Sequence, residues 1–172
     1  AVAAAMGLWG AAATARGRAT EALAPLAEAE SMAVRFTGEP SPLAVQDRIF
    51  LADAFAATGA REEARELLAR TLAIARERYG EPHLLTLRIR LALARLELDS
   101  GRAGAAIAQL DAILPAFAAA GPQGRSWEAH AQFARGDAQL ALGNARGAAA
   151  SFAQVVALRE AILWSGSAEL AL

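Results

Sequence analysis

Apolar and small positions in this chain recur at a spacing far longer than a helical turn. Runs rich in helix formers, such as AREEARELLARTLAIARER from Ala60 to Arg78, alternate with glycines at Gly17, Gly59, Gly101 and Gly143, spaced 42 residues apart. Five residues after each glycine stands an alanine (Ala22, Ala64, Ala106, Ala148), and four further on a large apolar residue (Leu26, Leu68, Leu110, Phe152). Seven before each glycine is a very small residue: Gly10, Ala52, Ala94 and Gly136. A fixed period of this size marks stacked repeats. The glycine ends one helix, because a C′ residue often needs positive φ. A second helix follows, so each copy predicts an antiparallel αα-hairpin whose axes approach most closely at the small residues. Hairpins are joined by a second break, Gly38-Glu39-Pro40 and again Gly80-Glu81-Pro82, because proline disfavours the helical conformation in the residue before it. In the third copy this break is reduced to Gly121-Pro122-Gln123-Gly124.

The pattern predicts an all-α chain of hairpins over residues 1–42, 43–84, 85–126 and 127–168, in one domain spanning 1–172. The tail, 167–172, is expected to form a short cap or the start of a further helix. One stretch, LTLRIRLALARLELD from Leu85 to Asp99, alternates apolar and polar like a strand. It is long for a strand, poor in the valines, threonines and aromatics that strands favour, and in phase with QDRIFLADAFAATG. A helix packed on several sides is therefore expected. Pro25 and Pro115 fall inside predicted second helices, where each removes a backbone hydrogen bond and is expected to kink its helix.

This spacing resembles the tetratricopeptide repeat, in which an apolar-small pair precedes the inter-helix glycine and an aromatic stands three residues after the small one. The pair reads Trp9-Gly10, Leu51-Ala52 and Leu93-Ala94, with Phe55 at the aromatic place. ERYGEPHLLTLRIRLALARL is similar to the long version of the repeat found in kinesin light chains and many bacterial proteins. The fourth copy departs, with Arg135 at the apolar place and Gln139 at the aromatic one, where the third has Glu97 and the first Ala13. The resemblance implies an α-solenoid of four stacked repeats wound as a right-handed superhelix, with the first helix of each hairpin lining a concave surface. Such repeats also occur beside bacterial serine/threonine kinase domains and in large transcription activators.

Composition narrows the partners. Seventeen arginines and no lysine face eighteen carboxylates, and the net charge of −1 argues against a nucleic-acid binder. Arginine without lysine, beside alanine at more than a quarter of the chain, is what a GC-rich bacterial coding sequence would write. Without cysteine there is no disulfide, thiolate zinc site or cysteine nucleophile. The opening AVAAAMGLWGAAATARGR lacks a basic leader and meets Arg16 and Arg18 too soon to span a bilayer, so an amphipathic helix without membrane insertion is expected. A cytoplasmic location is expected, although the periplasm suits a cysteine-free chain equally. The absence of an initiating methionine suggests a piece of something longer.

No catalytic constellation emerges. His83 and His130 have no second histidine four residues away, and His83 is expected to be a solvated turn residue. GRAGAA, Gly101 to Ala106, lacks the Lys-Ser/Thr of a phosphate loop, and Glu62-Glu63 complements a helix dipole. Neither enzyme activity, cofactor nor metal is expected. The candidate partner-binding residues lie on the first helices: Gln46, Phe50 and Asp53; Arg88, Arg95 and Asp99; His130, Phe133 and Asp137. Arg88, Arg95 and Asp99 share one helical stripe, so the arginines are placed to grip an acidic peptide by bidentate hydrogen bonds. Alternatively Asp53, Arg95 and Asp137, at one repeat position, form a self-neutralising ladder. Family members that clamp a C-terminal carboxylate use lysines and asparagines, and the absence of lysine argues against that ligand. The expected function is non-catalytic binding of a peptide or helix of a partner protein, with Phe50 and Phe133 as apolar anchors. Two alternatives stand beside it: a regulatory module of a larger signalling protein, and a scaffold self-associating through exposed ends, where Val155, Val156, Ile162, Leu163 and Trp164 are apolar.

Overall fold

The computed structural model describes the backbone of residues 2–169 and the side chains of residues 2–163. Its elements, all α-helices, are α1 (Val2–Ala15), α2 (Ala19–Thr37), α3 (Pro42–Ala57), α4 (Arg61–Tyr79), α5 (Leu84–Asp99), α6 (Ala103–Ala119), α7 (Pro122–Ala141) and α8 (Ala145–Glu169). The ambiguous 85–99 stretch is helix, as its phase required. Sequential helices pack on one another, α1 on α2, α2 on α3, α3 on α4, α6 on α7 and α7 on α8, with α1 also against α3. This is an all-α repeat solenoid. Its contacts group into two compact units, Ala1–Leu96 and Glu97–Leu172. Residues 170–172 of the tail, and the side chain of Trp164, lie outside the described residues.

The 42-residue period has one local cause repeated in each copy. Gly17, Gly59, Gly101 and Gly143 take φ of 78°, 91°, 76° and 75°. Each sits at the C′ position of the same hydrogen-bonded turn. The N–H after the glycine reaches back to the helix carbonyl five residues earlier: Arg18 to Ala13, Ala60 to Phe55, Arg102 to Glu97 and Asn144 to Gln139, at 2.8–2.9 Å. Carbonyls that the helix end would orphan are thereby satisfied. Small residues then set the approach of each pair. A Cβ on Gly10 would lie 2.4 Å from Leu26 Cγ, and one on Gly136 would lie 2.5 Å from Phe152 Cε1. The first and fourth hairpins thus close by seating the large apolar residue of the second helix in the hollow left by the glycine of the first.

In the first unit, Ala13, Ala22, Leu26, Leu51 and Ala54 form the junction of the first two hairpins, with Leu23 and Phe50 packed against it. Val45, Ile49, Ala52, Leu68, Leu72, Ala75, Leu85, Ile89, Ala92 and Leu96 belong to a larger cluster joining α3 and α4 to α5. The second unit buries Leu110, Ile113 and Phe117 completely. There α7 begins at Pro122, just over a turn earlier than its counterparts, and Gly124 is so close to α6 that a Cβ would meet the Phe117 carbonyl oxygen at 2.0 Å. The reduced third break is thus a tight turn that only a glycine at 124 allows. Pro25 and Pro115 are accommodated inside α2 and α6.

Candidate interaction face

The duplicated Gly-Glu-Pro break builds a charged joint. Glu39 accepts a hydrogen bond from Arg48 Nη2, and Glu81 Oε2 accepts from Arg90 Nη1 at 3.4 Å. Both pairs are nine residues apart and occupy equivalent positions of successive copies. Each ties the turn to the helix that follows it. In the third copy the two positions hold Gln123 and Gln132, so acid and base were exchanged for amides together. The N-caps follow the same logic. Ser41 Oγ accepts from the Ala44 N–H at 3.1 Å, and His83 Nδ1, one period later, accepts from the Leu85 N–H at 3.2 Å. His83 is exposed in the turn, and its ring stacks on Tyr79 with centroids 4.4 Å apart.

Beside the first joint lies a cavity of about 380 Å³, lined by Glu30, Glu39, Arg48, Leu51, Leu67, Arg70, Thr71 and Ile74. Arg48 is only 7% exposed, and its Nε also donates to Glu30 Oε1 at 2.7 Å. Burial alone would lower its pKa, but the hydrogen bonds and charges of Glu39 and Glu30 outweigh burial and raise it. Its neighbour Asp47 is buried against α1, where a Cβ on Gly7 would stand 2.3 Å from Oδ1. Desolvation first, and the charge of Glu30 second, push the Asp47 carboxyl up to about 6. Neither Arg48 nor Asp47 is among the residues expected from the sequence to carry function. The signal was available for Arg48, in the nine-residue Glu-to-Arg spacing written twice. For Asp47 it was the exchange of Ile89 and Ala131, its repeat counterparts, for a carboxylate.

The expected binding residues fall into separate groups. Across α3 and α5, Arg88 Nη2 donates to Gln46 Oε1, and Arg95 Nη1 lies 3.9 Å from Asp53 Oδ2. Each contact joins residues one period apart. Arg88 is half-buried, and desolvation lowers its pKa. The Asp53–Arg95 pair is open, with side chains 38% and 52% exposed. Phe50 is half-buried at the junction of the first two hairpins. In the second unit Asp99 is exposed at the end of α5, and His130 rests against Trp127 with its Nε2 3.1 Å from Arg159 Nη2. Phe133 is exposed although its ring meets Phe152 at 5.5 Å, and Asp137 is half-buried, with desolvation raising its pKa.

The departures of the fourth copy compensate one another. Arg135 Nη1 donates to Ser151 Oγ at 3.0 Å, and Ser151 donates to Gln139 Oε1 at 2.9 Å. Arg135 Nε donates to Asp111 Oδ1 at 2.7 Å. A polar relay thus fills the place that the apolar-aromatic pair Leu51 and Phe55 holds in the second copy. Among the described residues no group of three or more His, Asp or Glu side chains is arranged to hold a metal ion, and no helix is long and apolar enough to cross a membrane.

Residues 48–119 match the family model for the tetratricopeptide repeat. None of the curated proteins matches the chain. Among solved structures, a variant of a Podosopora anserina protein described by its nearly identical kinesin-light-chain TPR-like repeats aligns at TM-score 0.67 and 23% identity, covering 92% of this chain and 75% of that one. A second structure of such repeats from Podosopora anserina aligns at TM-score 0.54 and 18% identity, over 90% of this chain and 93% of the other.

Proposed function

With its residues 48–119 belonging to the tetratricopeptide repeat family, whose members are in general protein-interaction modules, this chain is, we propose, a non-catalytic module that holds a peptide or helix of a partner protein against α3 and α5. The observation that supports this is the difference between its two arginines. Arg88 is half-buried and bonded to Gln46, a rung that fixes α5 against α3. Arg95 is half exposed and only loosely paired with Asp53 at 3.9 Å. An open ion pair of this kind contributes about 0–1 kcal/mol, so Arg95 can exchange Asp53 for a ligand carboxylate at little cost. The guanidinium suits bidentate capture of that carboxylate. Phe50, half-buried three residues before Asp53 on α3, supplies an apolar surface.

Panning a random peptide library on the chain tests this. Enriched peptides are expected to combine an acidic residue with an apolar one and to lose at least tenfold in affinity for Arg95→Glu. Arg88→Glu should instead lower stability. Peptides that bind wild type and Arg95→Glu equally would overturn the assignment of Arg95.

A further inference from the structure

We propose that the cavity beside the first joint binds a small organic cation, a primary ammonium carried on a short apolar body. This goes beyond peptide binding and draws on none of the residues assigned to it, since the walls come from α2, α3, α4 and the turn between α2 and α3. Arg48 Nε holds Glu30 Oε1 at 2.7 Å, and its Nη2 holds Glu39 Oε1. One guanidinium thus faces two carboxylates, which leaves a net negative charge on a triad whose arginine is buried. Each carboxylate uses only its Oε1 in this way, and neither Oε2 has a partner among the described residues. Arg70, the other cation of the lining, is exposed and lies 3.8 Å from Glu66 on its own helix. The two remaining acceptors suit the N–H donors of an ammonium, in charge-assisted hydrogen bonds.

The next copy shows that the joint itself does not require this triad. Glu39 and Arg48 recur there as Glu81 and Arg90, but the counterpart of Glu30 is Leu72, buried in the cluster that joins α3 and α4 to α5. The charge balance there is reversed. Glu81 Oε1 also lies 2.6 Å from Arg76 Nε, so one carboxylate faces two arginines. Glu30 is therefore surplus to the tie between turn and helix, and it stands beside an apolar wall of Leu51, Leu67 and Ile74. Thr71 brings no competing donor, because its buried hydroxyl donates to the Leu67 carbonyl at 2.7 Å. A few polar groups converging on an apolar wall, around about 380 Å³, make a small-molecule site. That volume is more than one lysine side chain of a partner protein would fill.

NMR titration of the chain with butylamine and with phenethylamine tests the proposal. Both should give saturable shifts at the backbone amides of Thr71 and Ile74. Uncharged phenethyl alcohol should bind about tenfold more weakly or worse. Glu30→Gln keeps an acceptor for Arg48 but removes the net charge of the triad, and should weaken both amines about tenfold. Glu39→Gln should do the same, and serves in its place if circular dichroism shows that Glu30→Gln disturbs the fold. Arg95→Glu should leave the amines unaffected, which separates this cavity from the α3–α5 site. Amines that shift neither amide, or that bind the glutamine variants as tightly as wild type, would overturn the proposal. So would a lysine-containing peptide that saturates these amides where the free amines do not, because the occupant would then be a partner's side chain.

Discussion

Asp47 is a carboxylate in a position that the next copies fill with Ile89 and Ala131. Its folded pKa of about 6, against 3.8 in the unfolded chain, means that the native state holds its proton more tightly. Stability from this group is therefore fully present below 3.8 and is lost as pH rises through about 6. A shift of this size corresponds to about 3 kcal/mol. Urea unfolding of wild type and Asp47→Asn at both ends of that window should show the loss in wild type and its absence in the variant. Parallel pH dependence in the two would refute it. Asp137 shifts in the same direction but stays in both proteins, so their difference isolates Asp47. At the turns, Gly59→Ala forces a Cβ onto a residue at φ 91° with nothing crowding it, so the cost is backbone strain alone, about 1 kcal/mol by thermal melting.

Helices and hairpins were legible in the sequence because their determinants are local. The turn glycines, the small residues facing Leu26 and Phe152, and the breaks at Gly38 and Gly80 each act on neighbours within one hairpin or at one joint. What stayed hidden were side-chain pairings across helices. The resemblance marked Arg135 and Gln139 as departures, but only the placement of Ser151 between them shows that they are partners. Of the three residues of the acid-base-acid ladder, Asp53 and Arg95 lie 3.9 Å apart. Pairing Arg88 with Gln46 required knowing that α3 and α5 are in contact at that height. The relay in the fourth hairpin gives a test. Gln139→Phe alone leaves the buried Ser151 hydroxyl without its acceptor and should cost about 1–3 kcal/mol. Adding Ser151→Ala and Arg135→Leu restores the apolar pattern and should recover most of it. The coupling, about 0.5–3 kcal/mol, is read from the cycle of urea midpoints. Simple additivity would show that the relay is not a unit.

For the whole molecule, stability of a repeat array is a sum of hairpin and nearest-neighbour contributions. Hairpins covered on both sides should therefore open least often. Amide exchange should be slowest in α3, α4 and the first part of α5, which contribute the large cluster of leucines and isoleucines. It should be faster in α1, whose buried face is alanine and glycine. Equal protection along the chain would contradict this. A chain of near-identical hairpins also runs a hazard of its own order, since any first helix resembles a plausible neighbour for any other. Asp47 answers it. Its carboxylate fits against Gly7, and the positions corresponding to Gly7 in the later copies are Ile49, Leu91 and Phe133. A mistaken docking of the second hairpin on any of those would press a carboxylate into a bulky apolar side chain. The desolvation accepted at one buried acid thus acts as an address, written once, that tells the first two hairpins of this chain which neighbour is theirs.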